Sequence, residues 1–167
     1  DLRALLSKVS KALTQKSQTV LPTEQNNYES EFPLVGGSPA MQEVYRVVAR
    51  VVNTDLSVLI LGGSGTGKDL LARSLHELGH RVTGRFVRIN CGTITPDQLD
   101  AEVLVSAGQN ATIYFDELST LSPQSQIHLL NLTQSESMQS MDIRLVSSSS
   151  RPIQPLINDG MFREDLF

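Results

Sequence analysis

The chain of 167 residues holds a single cysteine, Cys91, so no disulfide can form within it. Such cysteine usage predicts a reducing, cytoplasmic setting. No apolar run approaches the roughly 18 residues of a membrane-spanning helix. No basic segment followed by an apolar one marks a signal peptide, so no membrane contact is expected. Positive charge is in deficit as well: 14 Lys and Arg stand against 18 Asp and Glu, for a net charge of -4 and a pI of about 5.3. That balance argues against a broad phosphate-binding surface, so DNA contact is expected only through a domain outside this chain. His76, His80 and His128 show neither metal-ligand spacing nor a neighbouring nucleophile, and solvated or capping roles are expected for them. There is no internal repeat.

What remains is the make-up of one globular domain with a tail, 40% hydrophobic and 19% charged. The chain begins at Asp1 and is expected to be an excerpt of a longer protein. In residues 1–13, DLRALLSKVSKAL, Leu2, Leu6, Val9 and Leu13 form one apolar helical stripe. That stripe suits either a terminal helix packed on a neighbouring domain or a seam pairing two chains. Residues 14–31 turn to Gln, Ser, Thr, Asn and Glu, the composition of a flexible linker. The main domain is expected over 32–167.

Within it, short apolar runs predict strands at 58–61, 86–90, 112–115 and 143–147. Helical periodicity predicts helices at 39–52, 68–78, 96–104 and 123–132. Ser38-Pro39, Thr95-Pro96 and Ser122-Pro123 each set a capping hydroxyl before a proline suited to the first helical position. The alternation predicts an open α/β fold with a parallel sheet and right-handed crossovers. The polar stretch 134–141, QSESMQSM, reads as a loop.

Two motifs carry chemistry. Residues 62–69, GGSGTGKD, follow a predicted strand and open a predicted helix, and they fit the start of G-x-x-x-x-G-K-[ST]. Gly62, Gly63, Gly65 and Gly67, with Ser64 and Thr66 between them, let backbone N–H groups converge on phosphates. Lys68 adds a point charge for the outer phosphates. Asp69 stands where the usual motif places a hydroxyl on magnesium. The second motif is IYFDE, a strand ending in Asp116 and Glu117. An acid there suits a magnesium ion held directly or through water, and its neighbour suits the orientation of a water against a terminal phosphate.

The segments PLVGGSPAMQEVY, LILGGSGTGKDLLARSLHELG, FVRINCGTI, IYFDEL and GMFREDLF together resemble successive motifs of a known family. It is the AAA+ ATPase domain of NtrC-like bacterial enhancer-binding response regulators, the sigma-fifty-four activators. The resemblance runs from about Leu34 to Phe167. It implies a P-loop NTPase AAA+ core, a parallel sheet sandwiched by helices, with ATP and Mg2+ as cofactors. An acid after the P-loop lysine is ordinary in this family, so magnesium is implied at Asp116 with water.

By the same resemblance, Leu34, Val35 and Gly36 lie against adenine and Asn90 restrains the catalytic Glu117. Ser149 stands at a nucleotide sensor, so that the serine run at 147–150 is partly strand and partly sensor. Arg163 is an arginine finger reaching the ATP of a neighbouring subunit; a local ion pair is the blander reading of that arginine. Residues 1–13 resemble the last helix of a receiver domain. Self-association into a ring, RNA polymerase, a sensor kinase acting through the receiver domain, and nitrogen regulation are implied in turn.

The sequence departs from the family in three places. Only VSAGQNA separates Leu104 from the predicted third strand, so the GAFTGA loop that touches the sigma-fifty-four polymerase is absent. QSESMQSM is shorter than the family's hairpin, and Ser149-Ser150 replaces Thr-Asn. The chain also stops before the family's fifth strand, second finger arginine and helical lid, which is expected to leave one sheet edge and one wall of the nucleotide site open. Three functions fit to different degrees: a ring ATPase of a transcription regulator, a pseudo-ATPase in which nucleotide supports assembly only, and a P-loop kinase. Asp69 and FREDL weigh against the kinase. Cys91 is expected to be a small buried side chain at a strand end.

Overall fold

The computed structural model describes residues 38–167. The expectations for residues 1–13, 14–31 and for Leu34, Val35 and Gly36 lie outside the described residues. Four strands, β1 (Val58–Leu61), β2 (Phe86–Asn90), β3 (Thr112–Asp116) and β4 (Arg144–Ser149), form one all-parallel sheet in the order β1-β4-β3-β2. The order in space differs from the order in sequence because the chain crosses from β1 to the far edge and then returns strand by strand. Parallel pairing requires such crossovers, and helices supply them. These are α1 (Pro39–Val51), α2 (Lys68–Glu77), α3 (Pro96–Asp100), α4 (Pro123–Thr133), α5 (Glu136–Ser140) and α6 (Ile153–Asn158). None of the helices described is long and apolar enough to cross a membrane.

Alternation along the strands divides the core in two. Ile60, Tyr114 and Val146 face α1 and α2 and pack with Val48, Ala72 and Leu75. Ile89, Ile113 and Phe115 face the other way, against Leu99, Leu129, Met138 and Ile153. Tyr114 and Phe115, adjacent in β3, are thus both buried on opposite faces. Each fully buried side chain of this size contributes about 1.5–3 kcal/mol, so the helical layers cover both faces of the sheet.

The three proline-led helices begin where the sequence predicts. Ser38 Oγ accepts from Met41 N–H at 3.2 Å and Ser122 Oγ from Ser125 N–H at 3.1 Å, while Gln98 Oε1 accepts from Thr95 N–H at 3.1 Å. The far end of α1 is closed by a side chain distant in sequence. Arg144, buried at the start of β4, donates to the carbonyls of Val51 (2.7 Å), Val52 (2.9 Å) and Leu56 (3.3 Å).

Three expectations need correction. The polar stretch 134–141 is not wholly a loop: Ser135 caps Met138 N–H at 3.2 Å, Met138 is buried, and α5 forms around that single apolar anchor. The helix expected over 96–104 is α-helical only to Asp100 and then widens into a π-helix, Ala101–Ser106. His76 is not solvated: it is buried against Phe86, with Nδ1 3.0 Å from Thr112 Oγ1, and burial lowers its pKa. Cys91 is buried at the end of β2 as expected, and burial pushes its thiol up to about 12, which makes it inert.

Candidate functional site

The site lies at the carboxyl ends of the strands, on the side of the sheet that α2 covers. Residues 62–67 leave β1 and turn into α2. Gly65 and Gly67 have φ of 76° and 90°, a region that side chains disfavour. A Cβ at Gly62 would lie 2.8 Å from Thr66 Oγ1, which itself donates to Gly63 O at 2.8 Å. Gly67 caps α2 without a side chain, so no side-chain cap serves the first N–H groups of this helix, and a helix start of this kind suits an anion. Lys68 is buried; its Nζ donates to Gly62 O (2.8 Å) and Gly63 O (2.9 Å) and lies 3.2 Å from Glu117 Oε1.

Strand β3 delivers the acid pair. Asp116 is its last residue and pairs in register with Asn90 of β2. Asp116 Oδ1 accepts from Ser148 Oγ at 3.1 Å, and Tyr114 Oη lies 3.1 Å from that oxygen and 2.8 Å from Ser148 Oγ. Asp116 Oδ2 accepts from Arg88 of β2 at 2.5 Å. Burial pushes the Asp116 carboxyl up, but the hydrogen bonds from Arg88, Ser148 and Tyr114 outweigh it and hold the group below its ordinary value. Asp116 is therefore held as an anion.

Glu117 turns the chain. Its φ of 57° and ψ of 55° are left-handed, a conformation that costs a non-glycine residue about 1–3 kcal/mol unless its surroundings fix it. They do so here. Ser150 donates to Glu117 Oε2 through both its N–H and its hydroxyl, each at 2.8 Å, and Glu117 N–H donates to Ser148 Oγ at 3.2 Å. Burial raises the Glu117 pKa, yet the two Ser150 bonds and Lys68 more than offset this and keep it low.

The structure thus brings together residues 62–69, Asp116 and Glu117. Ser149 is buried beside them, its hydroxyl donating to Arg151 O at 2.6 Å rather than facing the loop. Asn90 Oδ1 accepts from Gly92 N–H at 3.0 Å, and among the described residues it is Ser150 rather than Asn90 that holds the Glu117 carboxylate. Arg163 is exposed and closes as a fork on Asp165, at 2.9 and 2.7 Å, while its backbone N–H is held by buried Gln126 at 3.0 Å. Sequence reasoning missed Arg88, and although it placed Ser148 and Ser150 in a serine run that is partly sensor, it missed their bonds to the acid pair. Arg88 carried a signal, since a charged residue at the middle of FVRIN shares a strand face with Phe86 and Asn90.

The chain resembles proteins already described. The family model of the sigma-54 interaction domain matches it in two pieces, residues 34–107 and 103–167. The DNA-binding transcriptional regulator NtrC of Azospirillum brasilense is 36% identical over 193 aligned positions, which cover 100% of this chain and 40% of that protein. The transcriptional regulatory protein ZraR of Salmonella typhimurium is 30% identical over 100% of this chain and 43% of its own length. Among solved structures, NtrX from Brucella abortus in complex with ADP superposes with a TM-score of 0.71 at 27% identity, covering 98% of this chain and 39% of that one. NtrX in complex with ATP gives 0.70 at 27% identity, over 96% and 39%. The chain therefore spans about two fifths of the length of these relatives. With a family model matched from residue 34 to residue 167, the chain belongs to the sigma-54 interaction domain family, the AAA+ domains of NtrC-like sigma-54 activators.

Proposed function

We propose that this domain binds ATP with Mg2+ at residues 62–69 and Asp116, and hydrolyses it through Glu117 when assembled with further copies. The observation that carries the reading is the convergence of Lys68, Asp116 and Glu117 around an uncapped helix start. ADP and ATP complexes of the related NtrX support nucleotide as the ligand. The donor set fits magnesium, a hard cation that takes one or two carboxylates, phosphate oxygens and water. Among the described residues no group of three His, Cys, Asp or Glu is arranged around a cation, so Asp116 would be the protein's main contribution. When bound, magnesium supplies charge neutralisation on the phosphates.

The remaining work belongs to the chain. Phosphate oxygens replace Gly62 O and Gly63 O as partners of Lys68 Nζ, which draws the ammonium away from Glu117. Glu117, once released from Ser150, accepts a proton from a water aligned on the terminal phosphate. Arg163 would leave Asp165 to reach the phosphates of a neighbouring copy. In the longer protein, assembly would couple to RNA polymerase, with DNA and a sensor kinase engaged through other domains.

The GAFTGA contact with sigma-fifty-four would be missing here. The family model matches in two pieces that meet and overlap at 103–107, at the start of the short stretch 105–111 that stands in place of that loop, which supports this reading.

Steady-state ATP hydrolysis over a wide range of protein concentration, beside Glu117→Gln, tests the proposal. Turnover that rises with concentration and vanishes in the variant supports a ring ATPase acting in trans. Tight ATP binding without turnover above the variant supports the second reading, in which nucleotide serves assembly alone. The observation favouring that second reading is that Glu117 is tied to Ser150 by two hydrogen bonds.

A further inference from the structure

The metal side of the site already contains a cation. Arg88 projects from β2 on the face shared with Phe86, and its two guanidinium nitrogens address two acids. One lies 2.5 Å from Asp116 Oδ2 and the other 3.5 Å from Asp69 Oδ1. The two contacts are unequal. The first is a short, charge-assisted hydrogen bond, whereas Asp69 Oδ1 is buried and accepts no hydrogen bond at all. Asp69 Oδ2 is held by Arg73 at 3.3 Å, and the Arg73 guanidinium lies 5.0 Å over the Phe86 ring. Asp69 is therefore left with one oxygen that lacks a hydrogen bond and stands 3.5 Å from Arg88.

We propose that Arg88 is a displaceable counter-ion of the metal site: it occupies Asp116 when magnesium is absent and transfers to Asp69 when magnesium enters. The proposal rests on the nucleotide reading above and assigns a role to the acid that stands after Lys68. Magnesium and Arg88 compete for one carboxylate, because a guanidinium bonded to Asp116 Oδ2 blocks the approach of the cation and its waters to that oxygen. Without a second seat, an expelled guanidinium beside a divalent ion would raise the energy of the bound state by like-charge repulsion. Asp69 Oδ1 supplies the seat. Arg88 has the freedom to move, since its side chain is 47% exposed while that of Asp116 is 16% exposed. The fork geometry of arginine suits two carboxylates at once, which a lysine point charge does not.

The test is magnesium dependence of nucleotide binding, read by anisotropy of a fluorescent non-hydrolysable ATP analogue titrated with magnesium chloride. Arg88→Met keeps the apolar stem and removes the competitor, so half-saturating magnesium should fall about twofold to fivefold, the range of a partly exposed ion pair. Asp69→Asn removes the second seat, so half-saturating magnesium should rise by a similar factor. In the Arg88→Met background the same Asp69→Asn change should have no further effect, because there is no guanidinium left to seat.

An unchanged or raised magnesium requirement in Arg88→Met, with nucleotide still bound, overturns the counter-ion role. An Asp69→Asn effect of equal size in both backgrounds overturns the transfer to Asp69 and leaves that residue acting by bulk charge. Absence of nucleotide binding in every chain overturns the nucleotide reading, and this proposal with it. Arg88→Lys guards against a folding artefact of the apolar variant: it keeps the charge but not the fork, and its magnesium requirement should lie between wild type and Arg88→Met.

Discussion

Asp116 and Glu117 are consecutive acids, yet they belong to two different halves of the site. Asp116 ends a strand in regular register and is held by β2 and β4 side chains, Arg88 and Ser148, with Tyr114 beneath it. Glu117 has left the strand, turns through a positive φ and is held by the segment after β4 and by the phosphate loop, through Ser150 and Lys68. One peptide reversal thus places two chemically similar carboxylates in different surroundings, and under the proposed function one becomes the cation-facing group and the other the water-facing group. Environment, rather than residue type, assigns acids their separate tasks.

The largest expected effect comes from removing the water-facing acid alone. Glu117→Gln should lower ATP turnover by about 10²–10⁴-fold, the usual worth of a positioned base, while nucleotide affinity changes little. Phosphate release and equilibrium binding measured on the same samples check this; parallel loss of both would mean that the halves are not separable. Ser148→Ala should strike both halves together, since this buried hydroxyl serves Asp116, Tyr114 and the Glu117 N–H. Leaving these groups without their partner should cost about 1–3 kcal/mol of stability, measured by urea unfolding.

Ser150→Ala is a finer cut. It removes one of two bonds to Glu117 and leaves the N–H bond, so turnover should rise about twofold to tenfold, in keeping with about 0.5–1.5 kcal/mol for a hydrogen bond. Asn90→Ala should change turnover less, because Asn90 bonds Gly92 and not Glu117. The reverse ranking would return the restraint to Asn90.

The smallest effect is a titration. The folded pKa of Glu117 is depressed below the ordinary 4.5, so its clamp contributes stability that is fully present above pH 4.5 and is lost as pH falls through the folded value. Ser150→Ala should move the Glu117 carboxyl back up toward 4.5 and leave Asp116 where it is. Carboxyl chemical shifts followed against pH would separate the two.

The strands and the phosphate loop were legible in the sequence because their signals are local. Apolar runs of strand length, glycines before a lysine and serine-proline helix starts each act within a few residues. The clamp on Glu117 was not, since Ser150 lies 33 residues away and reaches the acid only through the pairing of β3 with β4. Arg88 lies 28 residues from Asp116 and reaches it only because β2 and β3 pair in the register Arg88↔Tyr114 and Asn90↔Asp116. Helix α5 escaped detection for a different reason: one buried methionine among polar residues gives no periodicity to read.

The π-helix at Ala101–Ser106 has a consequence for the length of the chain. A turn closed by i to i+5 bonds takes in one residue more than an α-turn closed by i to i+4. It lies just before the turn into β3. A deletion of one residue there would convert the wide turn to an ordinary one and leave the start of β3 where it stands. The segment is a reserve of slack: a residue can be lost at this point while the acid pair at the other end of the strand keeps its place.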